Sequence, residues 1–223
     1  MIVLEEVLLA VDDVVLLPRC SLHIKAKERV VILGASGSGK TTLLRLIAGF
    51  ESPSSGKVLI EGVCVSEAGE ILLEPRLRGI SMVFQDLALW PHMSVEENIA
   101  FGLKMQGVGK KIRLQKVKEM LEMVSLAGYA KKRIHQLSGG EQQRVALARA
   151  LVLSPKIVLM DEPLSSLDKA LNIRLRQEIV ALQEKLGFTL VYVTHNEEEA
   201  EAIATQTLLM ENLLYSVKNK ELS

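Results

Sequence analysis

Gly34-Ala-Ser-Gly-Ser-Gly-Lys-Thr41 fits the spacing G-x-x-x-x-G-K-[ST], and the chemistry of those residue types at that spacing is the holding of phosphate. Gly34, Gly37 and Gly39, with Ala35, Ser36 and Ser38 between them, let backbone N–H groups turn inward around a β-phosphate. Lys40 carries a positive charge toward the β- and γ-phosphates, and the Thr41 hydroxyl suits Mg²⁺. A helix starting here adds the partial positive charge of its N-terminus.

A second group of residues completes a hydrolytic site. Ile157-Val-Leu-Met-Asp161-Glu162-Pro163 is an apolar run ending in two acids. As a buried strand it delivers Asp161 beside the phosphate loop, where it can hold Mg²⁺ through water. Glu162 follows off the strand end, where it can polarise an attacking water. Acids at strand ends are often merely solvated, but two in succession after four apolar residues, in a chain with this loop, favour the catalytic role. Thr194-His195 ends the next apolar run similarly, and a histidine at that sheet edge can reach a γ-phosphate. His23, His92 and His135 have no such context and read as surface or packing residues.

The loop alone indicates a P-loop NTPase of some kind. A GTPase needs an Asn-Lys-x-Asp segment, and the one Asn-Lys pair, Asn219-Lys220, runs into Glu221-Leu222. A kinase needs no such segment, so that reading depends on what lies downstream.

These side chains require a scaffold that brings several strand ends to one edge. Arg29-Val-Val-Ile-Leu33 reads as a buried strand leading into the glycine loop. The helix after it places Leu43, Leu44 and Ile47 on one face and stops near Gly49. Cys20, Leu22 and Ile24 alternate with Ser21, His23 and Lys25 as a half-buried strand does. Ser52-Pro-Ser-Ser-Gly56 is a turn cluster, with strands expected at 57–60 and 80–84. From 86 to about 153 the texture is helical, with Leu114, Val117, Leu121 and Val124 at helical spacing and lysines toward solvent. Strands return at 157–160 and 189–193, on either side of a long helix through Leu171, Leu175, Ile179, Leu182 and Leu186. The expectation is a single α/β domain over 1–223, interrupted by a helical insertion over roughly 86–153.

Composition agrees with a buried sheet: 48% of residues are hydrophobic and 24% charged. Lys+Arg and Asp+Glu balance at 27 each, so no net field draws the chain to nucleic acid or anionic lipid. Cys20 and Cys64 have neither metal-ligand spacing nor the density of a disulfide scaffold, which fits a reduced cytoplasmic setting. Glu5, Glu6, Asp12 and Asp13 break the N-terminal apolar run and no basic segment precedes it, so no signal peptide is expected. No run approaches the roughly 18 apolar residues of a membrane span, so any membrane role is expected to go through a partner.

At Leu137-Ser-Gly-Gly-Glu141, followed by Gln-Gln-Arg-Val-Ala-Leu-Ala-Arg-Ala-Leu151, the sequence resembles the nucleotide-binding domain of ABC transporters. Physically this is a helix start, with Ser138 as N-cap and Gly139 and Gly140 leaving N–H groups bare to an anion. The resemblance covers nearly the whole chain: Gln85 in Met82-Val-Phe-Gln85 matches the Q-loop, Ser165-Ser-Leu-Asp168 the D-loop and His195 the switch histidine. It implies a RecA-like core carrying an antiparallel β-subdomain and an inserted helical subdomain. It implies ATP and Mg²⁺, with Thr41, Gln85 and Asp161 toward the metal. It also implies an ATP-dependent head-to-tail homodimer. Each nucleotide would lie between one chain's loop, from Gly34 to Thr42, and the other's Ser138, Gly139, Gly140 and Glu141, with Asp168 nearby. A kinase has no use for that second anion site. The implied mechanism is in-line attack of water on the γ-phosphate, with Glu162 orienting the water, His195 stabilising the transferring group and Lys40 offsetting charge.

The same ATPase head serves DNA-repair and chromosome-maintenance proteins, usually with a long coiled coil between the two motifs. Lys40 and Ser138 stand 98 positions apart and the net charge is zero, so transmembrane permease subunits are the expected partners, not nucleic acid. Leu89-Trp-Pro-His-Met-Ser-Val-Glu-Glu-Asn-Ile99 is similar to importer ATPases of the group serving sugars, polyamines, iron and oxyanions. That likeness implies work at the cytoplasmic face of the membrane, with cargo chosen by other subunits. Trp90 and Met93, beside Pro91, form either an exposed contact patch or part of the core, and the sequence leaves both open. Three departures accompany the resemblance. The family usually has an adenine-stacking aromatic near Val11, whereas this chain has no Phe, Trp or Tyr before Phe50; weak base discrimination, with GTP competing better, is expected. Many relatives continue into a C-terminal regulatory β-domain where this sequence stops at Ser223, which fits a short branch or a cut natural protein. Asn196 stands where an Asp often follows the histidine, without a consequence that the sequence supplies.

Overall fold

The computed structural model describes residues 1–12 and 14–215. Asp13, the segment Asn219-Lys220-Glu221-Leu222 and Ser223, all considered above, lie outside the described residues. In chain order the strands and α-helices are β1 (Ile2–Val11), β2 (Val14–Ile24), β3 (Arg29–Leu33), α1 (Lys40–Ala48), β4 (Ser55–Ile60), β5 (Val63–Glu67), β6 (Glu70–Ile71) and β7 (Ile80–Val83). There follow α2 (Val95–Met105), α3 (Lys110–Met123), α4 (Gly139–Leu151), β8 (Ile157–Asp161), α5 (Lys169–Leu186), β9 (Thr189–Thr194), α6 (Glu197–Ile203), β10 (Gln206–Leu209) and α7 (Met210–Tyr215).

The strands form two sheets. One is antiparallel in the order β2-β1-β4-β5-β6; the other is parallel in the order β10-β3-β9-β8-β7. Every residue of β8 and β9 is buried, as expected of a parallel sheet covered on both faces. This is the expected α/β P-loop architecture: a RecA-like parallel core, an antiparallel β-subdomain and helices inserted between β7 and β8. Its strand order positions the site. The chain leaves β3 into the phosphate loop, and β9 lies between β3 and β8. His195, just past β9, therefore emerges between the loop and the acids at the end of β8. All of them meet at the carboxyl edge of the sheet, where open α/β sheets bind ligands.

Local sequence explains most boundaries. Gly49, at φ 85°, ends α1, and a Cβ there would collide with the Arg78 guanidinium. Arg78 is buried and ties α1 to the antiparallel sheet. It donates to the carbonyls of Leu46 and Ile47 on α1, to those of Leu73 and Val65, and to the Ser66 hydroxyl. Burial pulls its pKa down to about 10. Ser94 starts α2 with a capping box to Glu97. Cys20, Leu22 and Ile24 are buried and their neighbours exposed, as the alternation predicts.

Some elements depart from expectation. β1 is hidden in the sequence because Glu5 and Glu6 interrupt its apolar pattern. The strand accommodates them by bulging against β2, with Glu6 at φ 52°. β4 begins at Ser55, inside the expected turn cluster, because Gly56 at φ 78° passes close to the Glu5 and Glu6 carbonyls. On α3, Leu114 is 36% exposed, whereas Val117, Leu121 and the C-cap Val124 face the core. Among the described residues, no helix is long and apolar enough to cross a membrane.

Candidate functional site

The loop from Gly34 to Gly39 leaves the end of β3 and enters α1 with Gly39 at φ 94° as N-cap and no side chain capping it. The first-turn N–H groups are thus left to whatever the loop encloses. Lys40 is 4% exposed, and its ammonium donates to the Gly34 and Ala35 carbonyls at 2.8 and 2.9 Å. A Cβ on Gly34 would meet the Ser38 hydroxyl and the Met210 Cβ, each at 2.9 Å. The Ser38 Oγ is buried and has no hydrogen-bond partner among the described residues. A buried hydroxyl aimed into a loop that only glycine can close fits a bound anion.

Asp161 ends β8 and Glu162 follows it directly. Asp161 is buried and its Oδ1 accepts from the Thr41 hydroxyl at 2.9 Å. Burial pushes its carboxyl above the usual range, partly opposed by that hydroxyl. Glu162 stands at φ 41°, a left-handed conformation costing about 1–3 kcal/mol for a residue other than glycine. Its carboxylate lies between two partners: Oε1 is 3.3 Å from the Lys40 ammonium, and Oε2 is 2.8 Å from the His195 Nδ1. Lys40, Glu162 and His195 thus form one connected group, with Thr41 and Asp161 alongside. One carboxylate and one hydroxyl beside a phosphate loop is the donor set Mg²⁺ uses when substrate and water complete its shell.

Gln85 lies two residues beyond β7, exposed at the same sheet edge, and Thr42 follows Thr41 in the first turn of α1. Asp168 caps α5, its carboxylate accepting from the Leu171 amide at 3.0 Å. The segment before it is tied to the acids, because the Ser165 hydroxyl donates to the Glu162 carbonyl at 3.0 Å. Ser138 caps α4 in a full capping box with Glu141. Gly139 is exposed, but Gly140 is buried, and a Cβ there would lie 2.8 Å from two methyl carbons of Leu171 on α5. The second glycine is therefore demanded by packing as well as by an open amide.

Three kinds of residue escape sequence reasoning. Arg149, in the last turn of α4, donates to the Ala88 and Leu87 carbonyls at 2.5 and 2.6 Å, and both of those residues have positive φ. Its guanidinium also lies 4.9 Å from the Trp90 ring, which tilts against Phe101 at 4.5 Å. Trp90 is thus half-buried, clamped between a cation and another ring, and neither core nor free patch. Arg78 and Glu199 are the others; both are buried charges that draw partners from more than one segment, Asn172 lying 27 residues from Glu199. No spacing signals such groups. His23, His92 and His135 are exposed. Val11 is about half exposed, next to Val14, Val15 and Leu16 on the β1–β2 hairpin. That hairpin abuts the loop: a Cβ on Gly39 would lie 3.4 Å from the Leu16 carbonyl.

A model of the ABC transporter family matches residues 17–165. The chain belongs to the ABC transporter family. It is 48% identical to an Fe(3+) ions import ATP-binding protein of Haemophilus influenzae over 209 residues, covering 94% of this chain and 62% of that protein. It is 49% identical to the putrescine transport ATP-binding protein of Escherichia coli over 201 residues, covering 90% of this chain and 50% of that one. The chain thus spans between half and two thirds of the length of these relatives. Among solved structures it is similar to a dimeric bacterial ABC transporter cassette, with 33% identity, TM-score 0.81 and 94% of each chain covered. A second structure of that cassette, in a post-hydrolysis state with ADP and Pi, matches equally well.

Proposed function

We propose that this ABC family chain binds Mg-ATP at the 34–42 loop and hydrolyses it as a head-to-tail homodimer, energising transmembrane permease subunits of an importer at the cytoplasmic face of the membrane. One observation carries the chemistry: the Glu162 carboxylate stands between the Lys40 ammonium and the His195 ring, at 3.3 and 2.8 Å, at the mouth of a phosphate loop. Glu162 accepts the proton of, or orients, the attacking water. Lys40 exchanges its carbonyl partners for phosphate oxygens and offsets their charge. His195 holds the transferring group from the opposite side, and Ser138, Gly139 and Glu141 of a second copy close over it. Thr41, Asp161 and Gln85 are the residues that would hold Mg²⁺, which when bound would neutralise phosphate charge.

The import and transport reading is supported by the names of the relatives, whose cargo, iron and putrescine, differs between them. Likeness at this level therefore does not specify a cargo. A groove of about 250 Å³ lined by Met93, Phe101 and Leu114 and by the charged Glu96, Glu97, Lys104, Lys110 and Arg113 lies on the helical face beside Trp90 and is the surface proposed to receive the permease. The test is Glu162→Gln with Mg-ATP. Turnover should fall by a factor of about 10² or more while ATP still binds, and the protein should elute as a dimer from a sizing column. A monomer at saturating Mg-ATP would overturn the shared-site reading.

A further inference from the structure

Beneath the exposed His195 lies a carboxylate to which the chemistry above assigns nothing. Glu199, in the first turn of α6, is 2% exposed. Its Oε2 accepts from the Tyr192 and Thr194 hydroxyls, each at 2.8 Å, and its Oε1 accepts from the Asn172 amide at 2.9 Å. The same Asn172 nitrogen donates to the Leu164 carbonyl at 3.2 Å, and Asn172 Oδ1 accepts from the buried Arg176 guanidinium. On the other side, the Glu199 amide donates to Asn196 Oδ1, and the Asn196 amide donates to the Thr194 hydroxyl. Burial, with the Glu199 charge adding to it, pushes the Tyr192 phenol far above its usual range, so it remains a donor.

Burying a carboxylate costs several kcal/mol before its partners compensate, and a well-packed apolar group would fill the same volume without that penalty. The donors gathered here come from two places that the reaction must hold in register. Tyr192 and Thr194 belong to β9, whose end carries His195. Asn172 belongs to α5, and through Leu164 it fixes the 164–168 segment that follows Glu162. The imidazole itself is half exposed and, among the described residues, makes one side-chain bond, to Glu162. Its placement therefore depends on the backbone turn from Thr194 to Asn196, and Glu199 is bonded to both ends of that turn. A crevice of about 540 Å³ opens beside it, lined by Ser165, Thr194, His195 and Asn172, and the Gly34 amide holds the Thr194 carbonyl from the loop side.

We propose that Glu199 is a positioning residue: it joins the His195 turn to the 164–168 segment so that the two sides of the γ-phosphate site move as one body. The inference rests on the ATPase reading above. Misplacing a reacting group by an ångström costs on the order of 10² in rate, whereas ATP affinity depends mainly on the loop and Lys40.

The experiment is steady-state Mg-ATP hydrolysis by wild type, Glu199→Gln, Tyr192→Phe and Asn172→Ala, with unfolding curves run alongside. An amide offers one acceptor oxygen where the carboxylate serves three donors, so Glu199→Gln is expected to lower kcat about 10- to 100-fold with KM within about threefold of wild type. Tyr192→Phe removes one donor without changing shape, lowers kcat by a smaller factor, and carries the test alone if Glu199→Gln does not fold. Asn172→Ala combined with Glu199→Gln should add little beyond the single changes, because both break one linkage. A folded Glu199→Gln, or failing that Tyr192→Phe, with wild-type kcat overturns the proposal, as does a loss that appears only in KM. Absence of turnover in the wild type would instead remove the ATPase reading itself.

Discussion

The starts of α1 and α4 look alike in sequence, each a pair of glycines running into an apolar helix, yet they are built in opposite senses. At α1 the cap is Gly39 in a left-handed conformation, without a side-chain acceptor, and Lys40 is folded into the loop with Glu162 and His195 at hand. At α4 the helix satisfies itself. The Glu141 carboxylate accepts from the Ser138 amide at 2.7 Å, and the Ser138 hydroxyl accepts from the Glu141 amide at 3.4 Å. The first start leaves its donors to a ligand and brings its own cation and acids. The second is a finished cap whose long hydroxyl bond is the weak member of the pair, free to be exchanged for a better acceptor. On the proposed function, one chain carries a charged half-site for the reaction and a preformed, closed half-site, an arrangement suited to two copies sharing each nucleotide.

The comparison breaks if the glycines of α4 serve an anion alone. A Cβ on Gly140 would meet two Leu171 methyl carbons at 2.8 Å and Leu171 Cγ at 3.2 Å, so α4 and α5 must separate to admit it. Gly140→Ala is therefore expected to cost about 1–3 kcal/mol in urea unfolding, and Leu171→Ala in the same chain should recover part of that loss. At Gly37 in the phosphate loop an added Cβ would have nothing within 4 Å, and φ is +78°, so Gly37→Ala costs backbone conformation alone. If Gly140→Ala unfolds like wild type, packing is not what holds that glycine.

A second test uses the opposite electrostatics of the two ends. Burial raises the Asp161 carboxyl pKa, whereas the Ser138 amide, followed by the Tyr129 hydroxyl, lowers that of Glu141. For Asp161 the folded value lies above the unfolded one, so its contribution to stability is fully present in acid and is lost as pH rises through the folded value. Its ionised form burdens the fold at neutral pH. Asp161→Asn should then raise stability at pH 7, by about 0.5–2 kcal/mol, while abolishing Mg²⁺-dependent turnover. Glu141→Gln should do the reverse, because a lowered folded value contributes stability above the unfolded pKa and loses it as pH falls. Both differences from wild type should shrink toward acid in thermal unfolding across pH 7 to 4. Two substitutions shifting stability in the same direction at pH 7 would erase the contrast.

How much of this is legible in the sequence follows from how local each signal is. The phosphate loop, the acids ending β8 and the Ser138 cap are short, contiguous motifs, and the structure places each at the element end its pattern suggests. The parallel strands are readable because full burial leaves unbroken apolar runs. β1 is hidden because a bulge absorbs the acids that spoil its alternation. Arg78, Arg149 and Glu199 are invisible for a different reason: each takes at least one defining partner from a segment distant in sequence. Arg149 looks like any helix cation until its bonds to two left-handed residues, Leu87 and Ala88, are seen.

The smallest expected effect concerns the hairpin beside the phosphate loop, where the base of the proposed nucleotide would lie and charge gives way to aliphatic surface. The β1–β2 hairpin beside Gly39 exposes Val11, Val14, Val15 and Leu16, all about half open to solvent. Valine and leucine side chains make dispersion contact with any purine face but offer no donor or acceptor to its edge, and an apolar surface cannot strongly reject an analogue of similar shape. Affinity for a nucleotide bound here is therefore expected to come from the phosphates, which ATP and GTP share. In competition binding with Mg²⁺, GTP should displace ATP with an affinity within about threefold, a difference below about 0.7 kcal/mol. A preference for ATP above about tenfold would mean that groups beyond the hairpin, such as the facing half of a second copy, read the base edge. The α4 start would then be more than a closed cap over phosphate.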